Sequence, residues 1–161
     1  LMATKTPSKP KTPRTPKDAI ALLKADHAKV GALFAEYEHT RSPTKKKELV
    51  AEICSELSVH AQIEEEIFYP DVKAALKDKA LVPEATVEHA SVKDLIAQVE
   101  GIDPDGEMYD AKVKVLGEYV KHHVKEEQNE MFPQVRASSL DLVALGARMA
   151  ERKSELLALR G

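Results

Sequence analysis

Apolar residues recur at intervals of three and four along four long stretches of the chain, and again near its C-terminus. This spacing places them on one face of an α-helix, because each helical turn takes 3.6 residues. The apolar faces are formed by Ile20, Leu23, Val30, Phe34 and Tyr37, by Val50, Ile53, Leu57, Ile67 and Phe68, by Val82, Ala85, Val92, Ile96 and Val99, and by Val113, Leu116, Val120 and Met131. The pattern predicts helices over residues 15–39, 44 to the mid-70s, 83–100, 107 to the 130s and 140–159.

The ends of these stretches carry residues that are typical of helix starts. Thr15, with Asp18 three residues later, predicts the start of the first helix, and Ser42 predicts the start of the second. Ser138 with Asp141 predicts a cap for the last helix. Four long amphipathic helices with short connections predict an all-α, up-down-up-down four-helix bundle, to which the fifth helix is an addition.

Six polar side chains interrupt the apolar faces at positions where core residues are expected. They are His27, His60, Glu64, His89, His123 and Glu127. In the second and fourth helices a Glu follows the His by four residues, so the two side chains point the same way. Residues 60–70 and 123–133 share this His-x-x-x-Glu spacing and an aromatic-Pro ending, 63 positions apart. Pro70 is expected to kink the second helix or to end its first part.

These six residues have two interpretations. A histidine on an apolar helix face is usually a core residue with satisfied hydrogen bonds, and six unrelated core residues of this kind are the alternative. Buried carboxylates, however, are costly unless they are paired or coordinated, and these positions include no Lys or Arg. A cation inside the bundle is therefore predicted. Mixed imidazole and carboxylate ligands suit Fe, Mn or Zn, and two ions bridged by the carboxylates would keep positions open for solvent, an oxo or hydroxo bridge, dioxygen or peroxide.

Several neighbouring residues are predicted to lie outside this site. His122 is about a hundred degrees around the helix from His123 and should face outward, and His39 should complement the dipole at the end of the first helix. Tyr69 and Tyr119 could lie near the metal ions, but packing is the preferred interpretation of each. Four acidic neighbours are interpreted as a solvated face, with support of the ligands as the alternative: Glu65, Glu66, Glu126 and Glu130.

The pattern resembles the hemerythrin-like, HHE cation-binding family over about residues 18–135. The resemblance rests on Asp26-His27, on Glu88-His89 and on the two His-x-x-x-Glu segments. It implies a four-helix bundle that holds two iron ions in an oxo- or hydroxo-bridged and carboxylate-bridged di-iron centre. The implied ligands are His27, His60, Glu64, His89, His123 and Glu127, with the two Glu residues as bridges. Oxygen-carrying members usually have a further His one turn after the third-helix His, where this chain has Lys93, so the resemblance implies more open irons.

The resemblance implies a small-molecule di-iron protein and leaves its exact role open. The first hypothesis is a protein that binds or reacts with O2, NO or peroxide in sensing or in oxidative-stress defence. The second is a peroxide-decomposing, catalase-like enzyme, and the third is an iron-handling or metal-stabilised interaction module. The physiological ligand, the redox partner and the oligomeric state are not predicted by the sequence.

Charge and composition divide the chain into two predicted parts. Residues 1–17 carry five basic residues and no acidic one, and since the whole chain carries −3, residues 18–161 carry −8. The first part is expected to be a disordered basic Lys/Pro/Thr-rich tail, which serves either for solubility or for weak contact with nucleic acid or an acidic surface. The second part is the bundle, with a metal-binding core over about residues 18–135 and the extra helix over about 139–159.

The expected location is the cytoplasm. The single cysteine, Cys54, cannot form an internal disulfide, which suits a reducing compartment. The first residues contain no apolar segment of a secretory signal, and no apolar run approaches the length of a membrane span.

Overall fold

The computed structural model describes residues 16–160, and every regular element in that range is helical. The helices are α1 (Ala19–Glu38), α2 (Pro43–Ile63), α3 (Tyr69–Lys73), α4 (Leu81–Glu100), α5 (Glu107–Glu126), α6 (Phe132–Arg136) and α7 (Leu142–Arg160), with π-helical turns at Glu64–Phe68 and Glu127–Met131. The turns join α2 to α3 and α5 to α6, so four long helices form the bundle and α7 is added to it. The predicted all-α bundle with an extra C-terminal helix is confirmed. The predicted tail lies outside the described residues, apart from its last two positions.

The first helix begins at Ala19, so its predicted start near Thr15 is wrong. Asp18 is the N-cap, and its carboxylate accepts a hydrogen bond from the backbone amide of Ala21 at 2.9 Å. Arg136 at the end of α6 donates a second hydrogen bond to the same carboxylate at 2.6 Å. Burial alone would raise the pKa of Asp18, but Arg136 and the Ala21 amide outweigh burial and lower that pKa. The charged carboxylate therefore caps α1 and ties it to α6.

The starts of α2 and α7 test two further predictions. Ser42 precedes α2, and its hydroxyl oxygen accepts a hydrogen bond from the amide of Lys45 at 3.3 Å, as predicted. For α7 the predicted cap is wrong by three residues. Asp141 precedes α7 and accepts from the amide of Ala144 at 3.0 Å, whereas the Ser138 hydroxyl donates to a backbone carbonyl three residues earlier.

Each π-helical turn begins at one of the two predicted carboxylate ligands. The amide of Tyr69 donates to the carbonyl of Glu64, five residues earlier rather than four. Pro70 has no N–H, and its ring would clash with a carbonyl in a regular α-helix. The wider turn accommodates the proline and lets the helix continue into α3. The same arrangement follows Glu127 in the fourth long helix, and such turns are frequent at functional sites.

The apolar core consists of two clusters. One includes Ile20, Leu23, Ile63, Phe68, Phe132 and Met149. The other includes Val30, Tyr37, Ile53, Leu57, Ile96 and Leu116. Along α1, His27 lies between Leu23 of the first cluster and Val30 of the second. The six predicted polar residues therefore fall where the two clusters meet. None of the described helices is long and apolar enough to cross a membrane.

The added helix α7 contacts the bundle closely at Gly146. A Cβ atom at this position would lie 2.6 Å from the backbone nitrogen of Ala19 and 2.6 Å from the carbonyl carbon of Asp18. Because both neighbours are backbone atoms, they cannot move aside as a flexible side chain would. The glycine therefore permits α7 to approach the first turn of α1.

We expect Gly146→Ala to destabilise the protein by about 1–3 kcal/mol, the usual cost of an overpacked core. In a protein of this size that corresponds to a fall in Tm of roughly 2–10 °C. Gly31→Ala is the matched control, because a Cβ there meets nothing within 4 Å. It should raise the stability by up to about 1 kcal/mol through helix propensity. Thermal unfolding followed by circular dichroism measures both, and equal effects of the two substitutions would contradict the close contact.

Candidate metal centre

The structure brings all six predicted side chains together at the centre of the bundle. They form two groups, each of which offers three ligand atoms within 4.8 Å of one another. The first group is His27, His60 and Glu127, and the second is Glu64, His89 and His123. Each of the four long helices contributes at least one member, so the site depends on the assembly of the whole bundle.

The two carboxylates lie between the two groups of imidazoles. Glu64 Oε1 is 3.1 Å from His60 Nε2 and 3.3 Å from His89 Nε2. Glu127 places Oε1 3.3 Å from His27 Nε2 and Oε2 3.2 Å from His123 Nε2. Each Glu therefore contacts one imidazole of the first group and one of the second, which is the arrangement that bridging of two ions requires.

Several buried polar atoms at this site have no hydrogen-bond partner. They are both carboxylate oxygens of Glu64, Oε1 of Glu127, Nε2 of His27, Nε2 of His60 and Nδ1 of His89. A buried polar group without a partner costs about 1–3 kcal/mol. The residues that carry these atoms are members of the two groups, and nitrogen and oxygen donors of this kind fit a metal cation.

The outer nitrogens of His60 and His123 are held by residues from other helices. His60 Nδ1 donates to Asp26 at 2.9 Å, and His123 Nδ1 donates to Glu88, also at 2.9 Å. Such a bond fixes the tautomer and aims Nε2 at the centre. Asp26 and Glu88 each precede a predicted ligand in the sequence, yet each supports the histidine of a different helix. The pairs Asp26-His27 and Glu88-His89 thus each contain one candidate ligand and one carboxylate that supports a histidine of another helix.

Residues 18–135 match the sequence profile of the hemerythrin HHE cation binding domain. The chain belongs to this family. This chain is similar to the crystal structure of a hemerythrin HHE cation binding domain-containing protein from Mycobacterium kansasii, with a TM-score of 0.75 and 25% sequence identity. The aligned residues make up 86% of each of the two chains. The chain is also 30% identical over 115 residues to a DNA nickase from Nostoc sp.. Those residues are 71% of this chain and 32% of the nickase, so the chain spans about a third of that relative's length.

The charges at the centre of this HHE domain compensate one another in the metal-free protein. Burial alone would raise the pKa of Glu64, but the imidazoles of His60 and His89 hold it well below its usual range. Burial would lower the pKa of His123, but Glu127 outweighs burial and raises that pKa to about 9. Metal ligands bind in their deprotonated form. Because the pKa values of His60 and His123 are raised, metal binding has to displace protons from these two imidazoles.

Tyr69 belongs to the centre, although packing is its preferred interpretation from the sequence. Its side chain is buried, and its hydroxyl donates to Glu127 Oε2 at 2.7 Å and lies 3.3 Å from His89 Nε2. Burial and the adjacent carboxylates raise the pKa of Tyr69 well above its ordinary value. The equivalent position in the second repeat is Phe132, whose ring stacks on His27 at 6.0 Å. The difference between the two repeats at this position is the sequence signal that could have indicated a polar role.

Of the residues predicted to lie outside the centre, some are exposed to solvent and one lies beside a candidate ligand. The side chain of His122 is 65% exposed, as predicted, and lies beside Glu126 on the surface. Lys93 turns away from the HHE centre and donates to Glu65 at 2.7 Å. Glu65 in turn lies 3.6 Å from His89 Nδ1, so it is nearer to the centre than a purely solvated residue would be. Tyr119 is exposed.

Proposed function

We propose that this HHE domain is a non-haem di-iron protein of the hemerythrin type, which binds or reacts with O2, NO or peroxide in sensing or in defence against oxidative stress. The proposed ligands of the two iron ions are His27, His60, Glu64, His89, His123 and Glu127. The observation that supports this most is the position of two buried carboxylates between two groups of imidazoles. Membership of a cation-binding family supports it independently.

The donor chemistry supports iron. The candidate ligands offer only imidazole nitrogen and carboxylate oxygen, which suit iron, manganese and zinc better than Cu(I) or an iron–sulfur cluster. The only cysteine, Cys54, belongs to the second apolar cluster, and burial raises its pKa to about 12. It is therefore not available as a thiolate ligand. Bound iron would supply redox and Lewis-acid chemistry.

A small cavity beside the proposed ligands supports a small-molecule partner. Its volume is about 40 Å³, and four histidine rings form its wall on the side of the centre. The remaining wall is mainly apolar and includes Val30, Leu57, Val92 and Val120. A cavity of this size holds a few water-sized molecules. It suits a diatomic molecule or peroxide.

The protein's own groups would control protons at the proposed metal centre. Tyr69 carries a hydroxyl hydrogen that it donates to Glu127, so a donor is already positioned beside two candidate ligand histidines. Asp26 and Glu88 hold His60 and His123 through their outer nitrogens. Lys93 is paired with Glu65 and does not reach inward. The chain thus offers a proton donor beside the centre and two imidazoles that carboxylates hold in place.

The expected behaviour of iron-loaded protein is a reversible change in the optical spectrum when oxygen or nitric oxide is added and removed. Many turnovers of peroxide would support the alternative, a peroxide-decomposing enzyme. Tyr69→Phe should alter the rate of reaction, whereas Tyr119→Phe, which changes an exposed tyrosine, should not. Iron-loaded protein that responds to none of the three molecules would contradict both assignments and would leave iron handling or a metal-stabilised interaction module.

Contact with nucleic acid or an acidic surface is proposed only for the basic residues 1–17. Their five positive charges would give weak phosphate binding that salt abolishes. The nickase name belongs to a relative that is about three times as long as the matched segment. If binding to a partner survived metal removal, the interaction-module alternative would be supported.

A further inference from the structure

Lys153 of α7 reaches the interior of the bundle at Asp26. Its ammonium group donates to Asp26 Oδ1 at 2.5 Å. The other oxygen of Asp26, Oδ2, accepts from Nδ1 of His60 at 2.9 Å. Asp26 is only 4% exposed, so both of its partners act in a medium where charge interactions are weakly screened. A lysine, a carboxylate and a candidate ligand therefore form one connected chain.

Lys153 occupies a position on the packing face of α7. Met149, four residues before it, and Leu156, three residues after it, are both buried against the bundle. Helix α7 begins at Leu142 and lies beyond the residues that match the HHE profile. The lysine is thus delivered to the centre by the additional helix and not by the four helices that carry the candidate ligands.

Glu88 supports His123 of the second group as Asp26 supports His60 of the first, but its surroundings differ from those of Asp26. Glu88 accepts from His123 Nδ1 through Oε1, and its side chain is 26% exposed. Its second oxygen lies 3.7 Å from the exposed ring of His122. Within the described residues no Lys or Arg forms an ion pair with Glu88, whereas Asp26 is paired with Lys153. The two halves therefore match in their hydrogen bonds to histidine and differ in charge.

We propose that Lys153 is a positioning residue that makes the two metal ions unequal. It neutralises Asp26, so His60 is supported by a compensated carboxylate, while His123 is supported by an uncompensated one. Negative charge near a metal ion stabilises its higher oxidation state. An ion held by His27 and His60 would therefore have the higher reduction potential of the two. This inference rests on the proposed di-iron function.

The test uses the iron-loaded full chain and its two one-electron reduction potentials, measured by optical titration with redox dyes. Lys153→Met should lower the higher potential, because Asp26 becomes uncompensated. Lys153→Arg should retain that potential. Arg152→Met is the matched control. It removes one positive charge from the adjacent position of α7, where Arg152 pairs with the exposed Glu66, and it should leave the potential unchanged.

A double-mutant cycle with Asp26→Asn separates the proposed role from a general effect of charge or stability. In the Asp26→Asn background no carboxylate holds the ammonium group near His60, so Lys153→Met should cause a much smaller shift. If Lys153→Met alone loses iron, the double variant should regain it. An equal shift in both backgrounds, no shift beyond that of Arg152→Met, or no recovery of iron would overturn the inference. Absence of iron from the wild-type protein would overturn the proposed function itself, whereas two irons with unmoved potentials would overturn this inference alone.

Discussion

His123→Ala is expected to remove at least one metal ion from the protein, whereas His122→Ala should retain both. His123 is 8% exposed, and its Nε2 lies 3.2 Å from Glu127 Oε2. His122 is the next residue, but the turn of the helix places its side chain in solvent. Changes to groups that only support a ligand cost about 10–100-fold in metal affinity, and loss of a ligand should cost more.

The two substitutions form a matched pair, since they remove the same side chain from adjacent positions of one helix. Metal content per chain, measured by elemental analysis after gel filtration, distinguishes them. Circular dichroism should show the same helix content in both, so that a loss of metal is not confused with unfolding. If His122→Ala lost metal and His123→Ala retained it, the assignment of the inward face of α5 would be wrong.

The second large effect is expected on removal of the metal. Binding to the native state alone stabilises it, by about 4 kcal/mol for each ion at a concentration a thousand times its Kd. For a protein of this size, the Tm of the metal-free form should therefore be lower by roughly 10 °C or more. The combination of Glu64→Gln with Glu127→Gln should narrow this difference. Calorimetry of both forms measures it, and equal melting temperatures with and without metal would contradict a structural role for the ions.

The difference in Tm between the metal-free and the metal-loaded protein should depend on pH. In the metal-free protein the pKa of His123 is raised from 6.5 to about 9, chiefly by Glu127 acting against burial. The stabilisation from this pair is fully present below about pH 6.5 and is lost as the pH rises through 9. Loaded protein has a cation in place of that proton. The gap between the two melting temperatures should therefore widen between pH 6.5 and 9.

The helical faces and the six candidate ligands could be predicted because they depend on local spacing. A period of 3.6 residues determines which side chains share a face, and His60 and Glu64 share one whatever the rest of the chain does. The repeat at 63 residues then indicated that a second face of the same kind exists. The structure places all six side chains within two adjoining groups, while their role as ligands stays a proposal.

The contacts that surround these residues could not be predicted in this way. Lys153 and Asp26 are separated by 127 positions, and Tyr69 and Glu127 by 58. Such pairs depend on how whole helices lie against one another. In the π-helical turn at Glu64–Phe68, a backbone hydrogen bond spans five residues rather than four. A period of 3.6 residues therefore does not predict the direction of the side chains that follow. The contact of Tyr69 with Glu127 therefore cannot be predicted from the helical period alone.

The most direct test of the dinuclear centre is the metal stoichiometry of the full chain. Protein purified from iron-replete cells, and again after removal and reconstitution of the metal, is analysed for iron, manganese and zinc together with protein concentration. Two metal ions per chain, mainly iron, are expected from the two adjoining groups of ligand atoms. A reproducible value near one ion per chain, or near zero after reconstitution, would contradict the di-iron assignment.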